Sequence, residues 1–146
     1  DIIYVGGGNT KSMLAVWREW NLDEILRNAY EKGIVMSGVS AGAICWFDKG
    51  ITDSYAKELS ILNCLGVVKD VACPHFDEEK DREPYVNDVI MKEIIKSCIC
   101  IEGNCALHIK NDFEYLSIDF GNGKNCFRVS KENNKLKKEI LRKENI

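Results

Sequence analysis

The stretch "GIVMSGVSAGAICW", residues 33–46, decides how this chain is expected to fold. Its apolar run at 34–36 is typical of a short buried strand. A Gly-x-Ser-x-Gly pattern centred on Ser40 follows, and the segment 41–47 after it is typical of a helix. A strand, a sharp turn of small residues and a helix form a nucleophile elbow, which exposes a serine oxygen above the edge of a sheet. Ser40 is therefore either a nucleophile or a small residue in a tight turn.

A similar strand, loop and helix precede this stretch. Residues 2–5 predict a buried strand, residues 6–8 a loop of three glycines, and Asn9 or Thr10 the N-cap of a helix. Glycine N–H groups that no side chain blocks can stabilise an oxyanion, as can the Ala41 N–H after the elbow. The loop lacks the Gly-x-Gly-x-x-Gly spacing, and no Gly-Lys-Ser/Thr is present, so a nucleotide site is disfavoured.

The rest of the chain continues the alternation of strands and helices. Beyond a polar connection at 48–60, the patterns predict a strand ending in Pro-His at 71–75, a charged loop at 77–83, a helix at 85–96, a strand at 99–101, and antiparallel strands at 107–109, 115–118 and 127–129 joined by turns at 111–112 and 121–123. This order predicts an α/β sandwich with a mainly parallel central sheet in a single domain over 1–146. Residues 131–146 are lysine-rich, which favours a peripheral helix or tail.

Composition excludes several classes of protein. Of the 146 residues, 45% are hydrophobic, yet no apolar run is long enough to cross a membrane. The net charge of -3 provides no general cationic surface for nucleic acid. The seven cysteines form an odd set without paired Cys-x-x-Cys motifs. We therefore expect reduced core thiols in a cytoplasmic protein that binds neither nucleic acid nor membranes.

A catalytic serine needs a base, and the sequence offers two histidines. His75 follows a predicted strand, at the kind of sheet edge where open α/β sheets place their sites. His108 lies within an apolar strand pattern as its outward residue, so a structural role is favoured for it. His75 is the base by elimination. Four carboxylates have the right chemistry to orient it: Asp53, Asp77, Glu78 and Glu102.

Taken together and in order, "YVGGGNT", "GVSAGAICWF", "ITDS" and "CPHFDEE" resemble the peptidase E (aspartyl dipeptidase) family of serine peptidases, which is related to cyanophycinase. The resemblance runs from residue 2 to about residue 130. It implies a three-layer α/β sandwich like that of class I glutamine amidotransferases, with serine in place of their cysteine. It also implies hydrolysis of short peptides, in particular dipeptides with an N-terminal aspartate, without a metal or another cofactor.

The resemblance assigns roles to individual residues. Ser40 matches the nucleophile and His75 the general base, and Asp53 lies about where the family's acid is found. Glu102 is the alternative acid, although the closest match to the cyanophycinase glutamate is Gly103. The oxyanion and substrate-binding candidates carried over are Gly7 or Gly8 beside Ala41 for the oxyanion, and Asn9, Thr10 and Arg82 for the substrate.

Family members carry further strands and helices before "YVGGGNT", so the resemblance leads us to expect that the N-terminal part of the fold is missing. A serine hydrolase remains the leading expectation. The alternatives are another serine amidase or esterase on the same elbow, and an inactive fragment that acts as a binding module. The expected partner is a small peptide substrate, and a homodimer is left open.

Overall fold

The computed structural model describes residues 1–55, 58–110 and 114–144. The chain divides into two compact units, Asp1–Asp70 and Val71–Ile146. Both helices and strands occur in each unit, so the protein belongs to the α/β class, as predicted. The assignment of residues 1–146 to a single domain stays a prediction. No helix in the described part of the chain has the length and apolar character needed to cross a membrane.

The first unit begins with the two predicted strand-helix units, but the prediction that both strands are buried was wrong, because Ile2, Tyr4 and Val35 are exposed. Its elements are β1 (Ile2–Val5), α1 (Thr10–Glu19), α2 (Leu22–Glu31), β2 (Val35–Gly38), α3 (Ala41–Ile44), β3 (Phe47–Tyr55) and β4 (Glu58–Asn63). Strands β1 and β2 are parallel, in a register that runs from Ile2 opposite Val35 to Val5 opposite Gly38. Asn9 caps α1, because its side-chain oxygen accepts the Ser12 N–H at 2.9 Å.

The segment after the elbow differs from the prediction. Helix α3 ends at Ile44 rather than at residue 47, and β3 begins at Phe47. The predicted polar connection at 48–60 is instead most of an antiparallel pair, β3 and β4. The polar residues of this segment led to the prediction of a connection rather than strands. A strand with one face toward solvent needs apolar side chains only on the other face.

The apolar core of the first unit lies between its helices and the β3–β4 pair. Trp17 and Trp46 pack with ring centroids 6.4 Å apart. The buried members of this core are Leu14, Leu26, Cys45, Trp46, Leu62, Cys64 and Leu65. Cys45 and Trp46, which follow α3, belong to this core, so the helix that leaves the elbow is attached to a packed layer.

Strand β5 (Val68–Cys73) leads into the second unit. The elements after it are α4 (Arg82–Met91), β6 (Ser97–Ile101), β7 (Cys105–Lys110), β8 (Glu114–Asp119), β9 (Cys126–Glu132), β10 (Lys135–Ile140) and β11 (Arg142–Lys143). Strand β6 pairs in parallel with β5 and antiparallel with β9, and β10 pairs antiparallel with β9. Strand β8 pairs antiparallel with β7 and in parallel with β11. The sheets are therefore mixed, rather than mainly parallel as the sequence predicted.

The lysine-rich segment 131–146 was predicted as a peripheral helix or tail, and that prediction was wrong for its described part. Its residues complete β9 and form β10 and β11. Among the strands of the described residues, β10 lies at the edge of its sheet beside β9, and lysines are suited to such an edge because their charge discourages pairing with another chain. The predicted turn at 111–112 lies outside the described residues. At the turn 121–123, the Asp119 carboxylate accepts the N–H groups of Asn122 and Gly123 at 3.0 and 2.9 Å.

Candidate active site

The elbow of the first unit places Ser40 in a rare backbone conformation. Ser40 joins β2 to α3 with φ 54° and ψ -117°. A positive φ costs energy in any residue with a Cβ atom, so it persists only where the surrounding structure enforces it. The strained serine at a strand-helix junction is the geometry that a nucleophile elbow requires.

Two glycines enforce this conformation by close backbone contact with the end of β1. A Cβ atom at Gly38 would overlap the Gly42 carbonyl and lie 2.7 Å from the Val5 oxygen. A Cβ atom at Gly42 would overlap the Val5 carbonyl and lie 2.6 Å from the Gly6 oxygen. The Val39 N–H also donates to the Val5 oxygen at 3.1 Å. Only a hydrogen atom fits in the side-chain position of residues 38 and 42. Both glycines of the Gly-x-Ser-x-Gly pattern are therefore required for this close backbone contact.

The glycine loop lies beside Ser40. A Cβ atom at Gly7 would be 3.5 Å from the Ser40 Cβ, while Gly8 has open space at the same position among the described residues. Ala41 is the first residue of α3, and the first N–H groups of a helix have no partner within it. The structure therefore brings the predicted oxyanion residues Gly7 and Ala41 next to Ser40.

Hydrogen bonds connect the end of the glycine loop to β3. The Asn9 side chain donates to the Ser54 carbonyl at 3.4 Å, and the Thr10 and Thr52 hydroxyls lie 3.5 Å apart. Thr10 is buried, with 1% of its surface exposed, whereas Asn9 is exposed. Asp53 is exposed between Thr52 and Ser54, where the strand register shifts. Of these predicted residues, Asn9 and Asp53 are exposed to solvent, whereas Thr10 is buried and its hydroxyl contacts Thr52.

In the second unit, His75 stands in a turn just beyond β5. It has a positive φ of 53°, and its carbonyl accepts the N–H groups of Glu78 and Glu79, both at 3.1 Å. This turn places the Glu78 carboxylate 2.6 Å from His75 Nδ1. A carboxylate on Nδ1 fixes the orientation of the ring and favours the tautomer with its proton on that nitrogen.

The strand that runs parallel to β5 ends next to the same turn. The Phe76 N–H donates to the Ile101 carbonyl at 3.0 Å, and the Gly103 N–H donates to Asp77 at 2.7 Å. Glu102, the alternative acid, accepts the Asn125 N–H on its carboxylate at 2.8 Å. Hydrogen bonds therefore hold Gly103 to Asp77 of the histidine turn and Glu102 to Asn125.

Asp77 is an anchor of this arrangement. Lys124 Nζ lies 2.5 Å from one oxygen of its carboxylate, and the Gly103 N–H donates to the other. Partial burial alone would raise the pKa of Asp77, but the hydrogen bonds from Lys124 and Gly103 outweigh it and lower the pKa below the ordinary value. Asp77 is therefore held ionised, and it ties the histidine turn to the residue after Glu102.

Two further predicted residues have partners of their own. Arg82 is 3% exposed, and its guanidinium binds Glu79 through Nε at 2.8 Å and through a terminal nitrogen at 2.7 Å. A substrate carboxylate would have to compete with Glu79 for it. His108 is exposed on β7, with Nδ1 2.6 Å from Glu144. This outward position on a strand is the one predicted for it.

Comparison with known proteins places the chain in a family. The sequence model of peptidase family S51 matches residues 1–115. The chain belongs to peptidase family S51. This S51 chain is 45% identical over 129 residues to YgaJ, an uncharacterized peptidase of Bacillus subtilis (strain 168). The alignment covers 88% of the chain and 56% of that relative, so the chain spans a little over half the length of the relative.

The family resemblance seen in the four motifs is thereby confirmed. The matched residues of the S51 chain include the glycine loop, the elbow, the histidine turn and Glu102. Sequence reasoning did not choose Glu78 over the other three carboxylates as the partner of His75. The available signal was its position three residues after a histidine that closes a strand, because one tight turn brings residues so spaced together.

Proposed function

We propose that this S51 chain is a serine peptidase that cleaves short peptides through an acyl-enzyme on Ser40. The observation that carries the proposal is the strained backbone of Ser40, held by glycines that contact the end of β1. If position 40 only had to turn the chain, glycine would adopt its positive φ without strain, and asparagine at lower cost. A serine there is explained by its hydroxyl.

In the proposed reaction, His75 takes the proton of Ser40 as the hydroxyl attacks the scissile carbonyl, and then returns it to the leaving amine. The N–H groups of Ala41 and of Gly7 or Gly8 stabilise the oxyanion of the tetrahedral intermediate. The position of Gly7 beside Ser40 supports this assignment.

Three of the four carboxylates remain candidates for the acid that orients His75, since the Asp77 carboxylate binds Gly103 and Lys124. Glu78 is supported by its carboxylate 2.6 Å from His75 Nδ1. Glu102 is supported by its place after β6, which pairs in parallel with the strand that leads to His75. Asp53 is supported by the family resemblance, and it is exposed on β3. We propose Glu78 as the orienting residue, with Asp53 and Glu102 as the alternatives that the experiments must distinguish.

The finer features of the proposal follow from the S51 resemblance. The first substrates to test are dipeptides with an N-terminal aspartate, and the fold is the three-layer sandwich of class I glutamine amidotransferases. A cytoplasmic location and a serine hydrolase without a metal are part of the same proposal. Arg82 is a weaker candidate for the substrate carboxylate than the sequence suggested, because Glu79 already binds it.

A fluorophosphonate probe tests the role of Ser40 directly, because such probes label activated serines. We expect one label on the wild-type chain, at Ser40, and none on Ser40→Ala. Ser37→Ala is the matched control, since this serine lies in β2 just before the elbow and should leave labelling unchanged. Circular dichroism checks that each variant is folded. Labelling that persists in folded Ser40→Ala would contradict the proposal.

A substrate panel then tests the reaction class. Hydrolysis of aspartyl p-nitroanilide by the wild type, lost in Ser40→Ala, is the expected result. Preferential cleavage of simple esters, or of amides without aspartate, would identify another amidase or esterase on the same elbow. A folded chain that neither reacts with the probe nor cleaves any member of the panel would be a binding module.

A further inference from the structure

Two thiols of the second unit lie almost in contact. Cys105 begins β7 and Cys126 begins β9, and their sulfur atoms are 3.6 Å apart. Cys126 is completely buried, whereas Cys105 is partly exposed. Forming a disulfide would bring the sulfurs to about 2.0 Å, a movement that side-chain rotation and small backbone shifts can provide.

The surroundings make the two thiols chemically unequal. The hydrogen bond from Cys126 lowers the pKa of Cys105, and the same contact together with burial raises the pKa of Cys126. Burial raises the pKa of Cys64 and of Cys73 to about 12. Because the thiolate is the reactive form, Cys105 is the best nucleophile among these four thiols.

We propose that Cys105 and Cys126 are an oxidation site at which a peroxide forms a reversible disulfide. The Cys105 thiolate attacks one peroxide oxygen, so that an S–O bond forms, the O–O bond breaks and water leaves after protonation. The Cys126 sulfur then attacks the Cys105 sulfur, forming the S–S bond as the S–O bond breaks and a second water leaves. The two sulfurs lose two electrons, and one peroxide is reduced to two waters.

This disulfide would act on the segment that carries Glu102. The Cys105 thiol donates to the Glu102 carbonyl at 3.1 Å, and oxidation removes that donor. Asn125, the neighbour of Cys126, pairs with Glu102 through two hydrogen bonds, at 3.3 Å between backbone groups and at 2.8 Å to the carboxylate. Cys105 therefore contacts Glu102 directly, and Cys126 is linked to it through its neighbour Asn125. Drawing the two sulfurs together would change the hydrogen bonds that hold Glu102. The proposal does not depend on the proposed function, because its test reads mass rather than activity.

The test is mass spectrometry of the folded chain after brief treatment with a small excess of hydrogen peroxide. Free thiols are then blocked in denaturant, and the chain is digested without reductant. We expect a loss of two hydrogen atoms per chain and a crosslinked peptide pair that contains Cys105 and Cys126. Dithiothreitol should restore the original mass.

Three variants assign the order of events. In Cys126→Ala, Cys105 should stop at the sulfenic acid, with the gain of one oxygen atom and trapping by dimedone. Cys105→Ala should give neither product, and Cys64→Ala, the matched control in the first unit, should behave as wild type. Unchanged mass in the wild type, a disulfide between other cysteines, or first oxidation at Cys126 would overturn the proposal. If a variant fails to fold, the crosslink map of the wild type decides by itself.

Hydrogen exchange provides the structural readout. We expect faster amide exchange in the peptide around Glu102 after oxidation, reversed by reductant. An oxidised chain in which this peptide exchanges as before would overturn the coupling to Glu102.

Discussion

The carboxylate of Glu78 fills the space beside Gly103. A Cβ atom at position 103 would lie 2.5 Å from the Glu78 carboxyl carbon, while the same carboxylate contacts His75 Nδ1 at 2.6 Å. The absence of a side chain at position 103 therefore allows Glu78 to reach the histidine. Gly103 is part of the geometry of the candidate base, although it carries no chemistry.

Gly103→Ala should lower activity without unfolding the chain. The added methyl group displaces a flexible carboxylate that is half exposed, which costs little stability, but His75 loses its orienting partner. We expect kcat/KM for aspartyl p-nitroanilide to fall at least about tenfold, and Glu78→Gln to have a similar effect. Glu83→Gln is the control, because this residue is in the first turn of α4 and its partner is Lys138. If Glu78→Gln is fully active while Glu102→Gln or Asp53→Asn is not, the orienting acid is one of the alternatives.

Gly42→Ala should destabilise the first unit. The new methyl group would meet the carbonyls of Val5 and Gly6, which are backbone atoms that cannot move aside cheaply. We expect a loss of about 2–4 kcal/mol in the free energy of unfolding, or no folded protein. Gly6→Ala is the matched control, since no described atom lies within 4 Å of its Cβ position. Urea titration followed by circular dichroism measures both, and equal midpoints would contradict the close contact.

Asn9 has two hydrogen-bonding roles that substitutions can separate. Asn9→Ala removes the cap of α1 and should cost about 1 kcal/mol. Asn9→Asp keeps the oxygen that accepts the Ser12 N–H but cannot donate to Ser54, so its loss should be smaller. Thermal unfolding distinguishes these cases. Because Asn9→Ala loses both hydrogen bonds, a loss for Asn9→Asp as large as that for Asn9→Ala would contradict the capping role of the side-chain oxygen.

The lowered pKa of Asp77 predicts that the folded chain loses stability in acid. Its pKa is lower in the folded chain than in the unfolded one, so its ionised form stabilises the fold above about pH 4, and this contribution is lost as the pH falls through the folded value. The stability difference between wild type and Asp77→Asn should therefore be largest at neutral pH and shrink below about pH 4. Lys124→Met removes the cationic partner of Asp77, so Asp77→Asn should cost less stability in a Lys124→Met chain than in the wild type. Melting temperatures measured from pH 7 down to about pH 2 check the sign, and a difference that grows in acid would contradict it.

The elements that the sequence predicted well are those in which one short segment contains all the relevant contacts. The strand at 2–5, the cap at Asn9 and the strand before Ser40 depend on local apolar runs and turn residues. Strands β3 and β10 were missed because their polar residues suit strands with an exposed face or an edge position. Lys138 in β10 lies 4.3 Å from the centre of the Phe127 ring, a contact that no pattern within residues 131–146 could indicate.

The sequence by itself determined the family and the strand, turn and helix around Ser40, and it supplied Ser40 and His75 as candidates for the nucleophile and the base, because motif order and glycine spacing are properties of the chain alone. Only the tertiary structure decided which carboxylate lies on His75 Nδ1 and which two of the seven cysteines meet. Glu78 could be chosen over three other acids only once the turn and the space beside Gly103 were known. Cys105 and Cys126 are 21 residues apart, and they come together although β7 and β9 belong to different sheets. Contacts of this kind depend on how sheets pack, which local patterns do not encode.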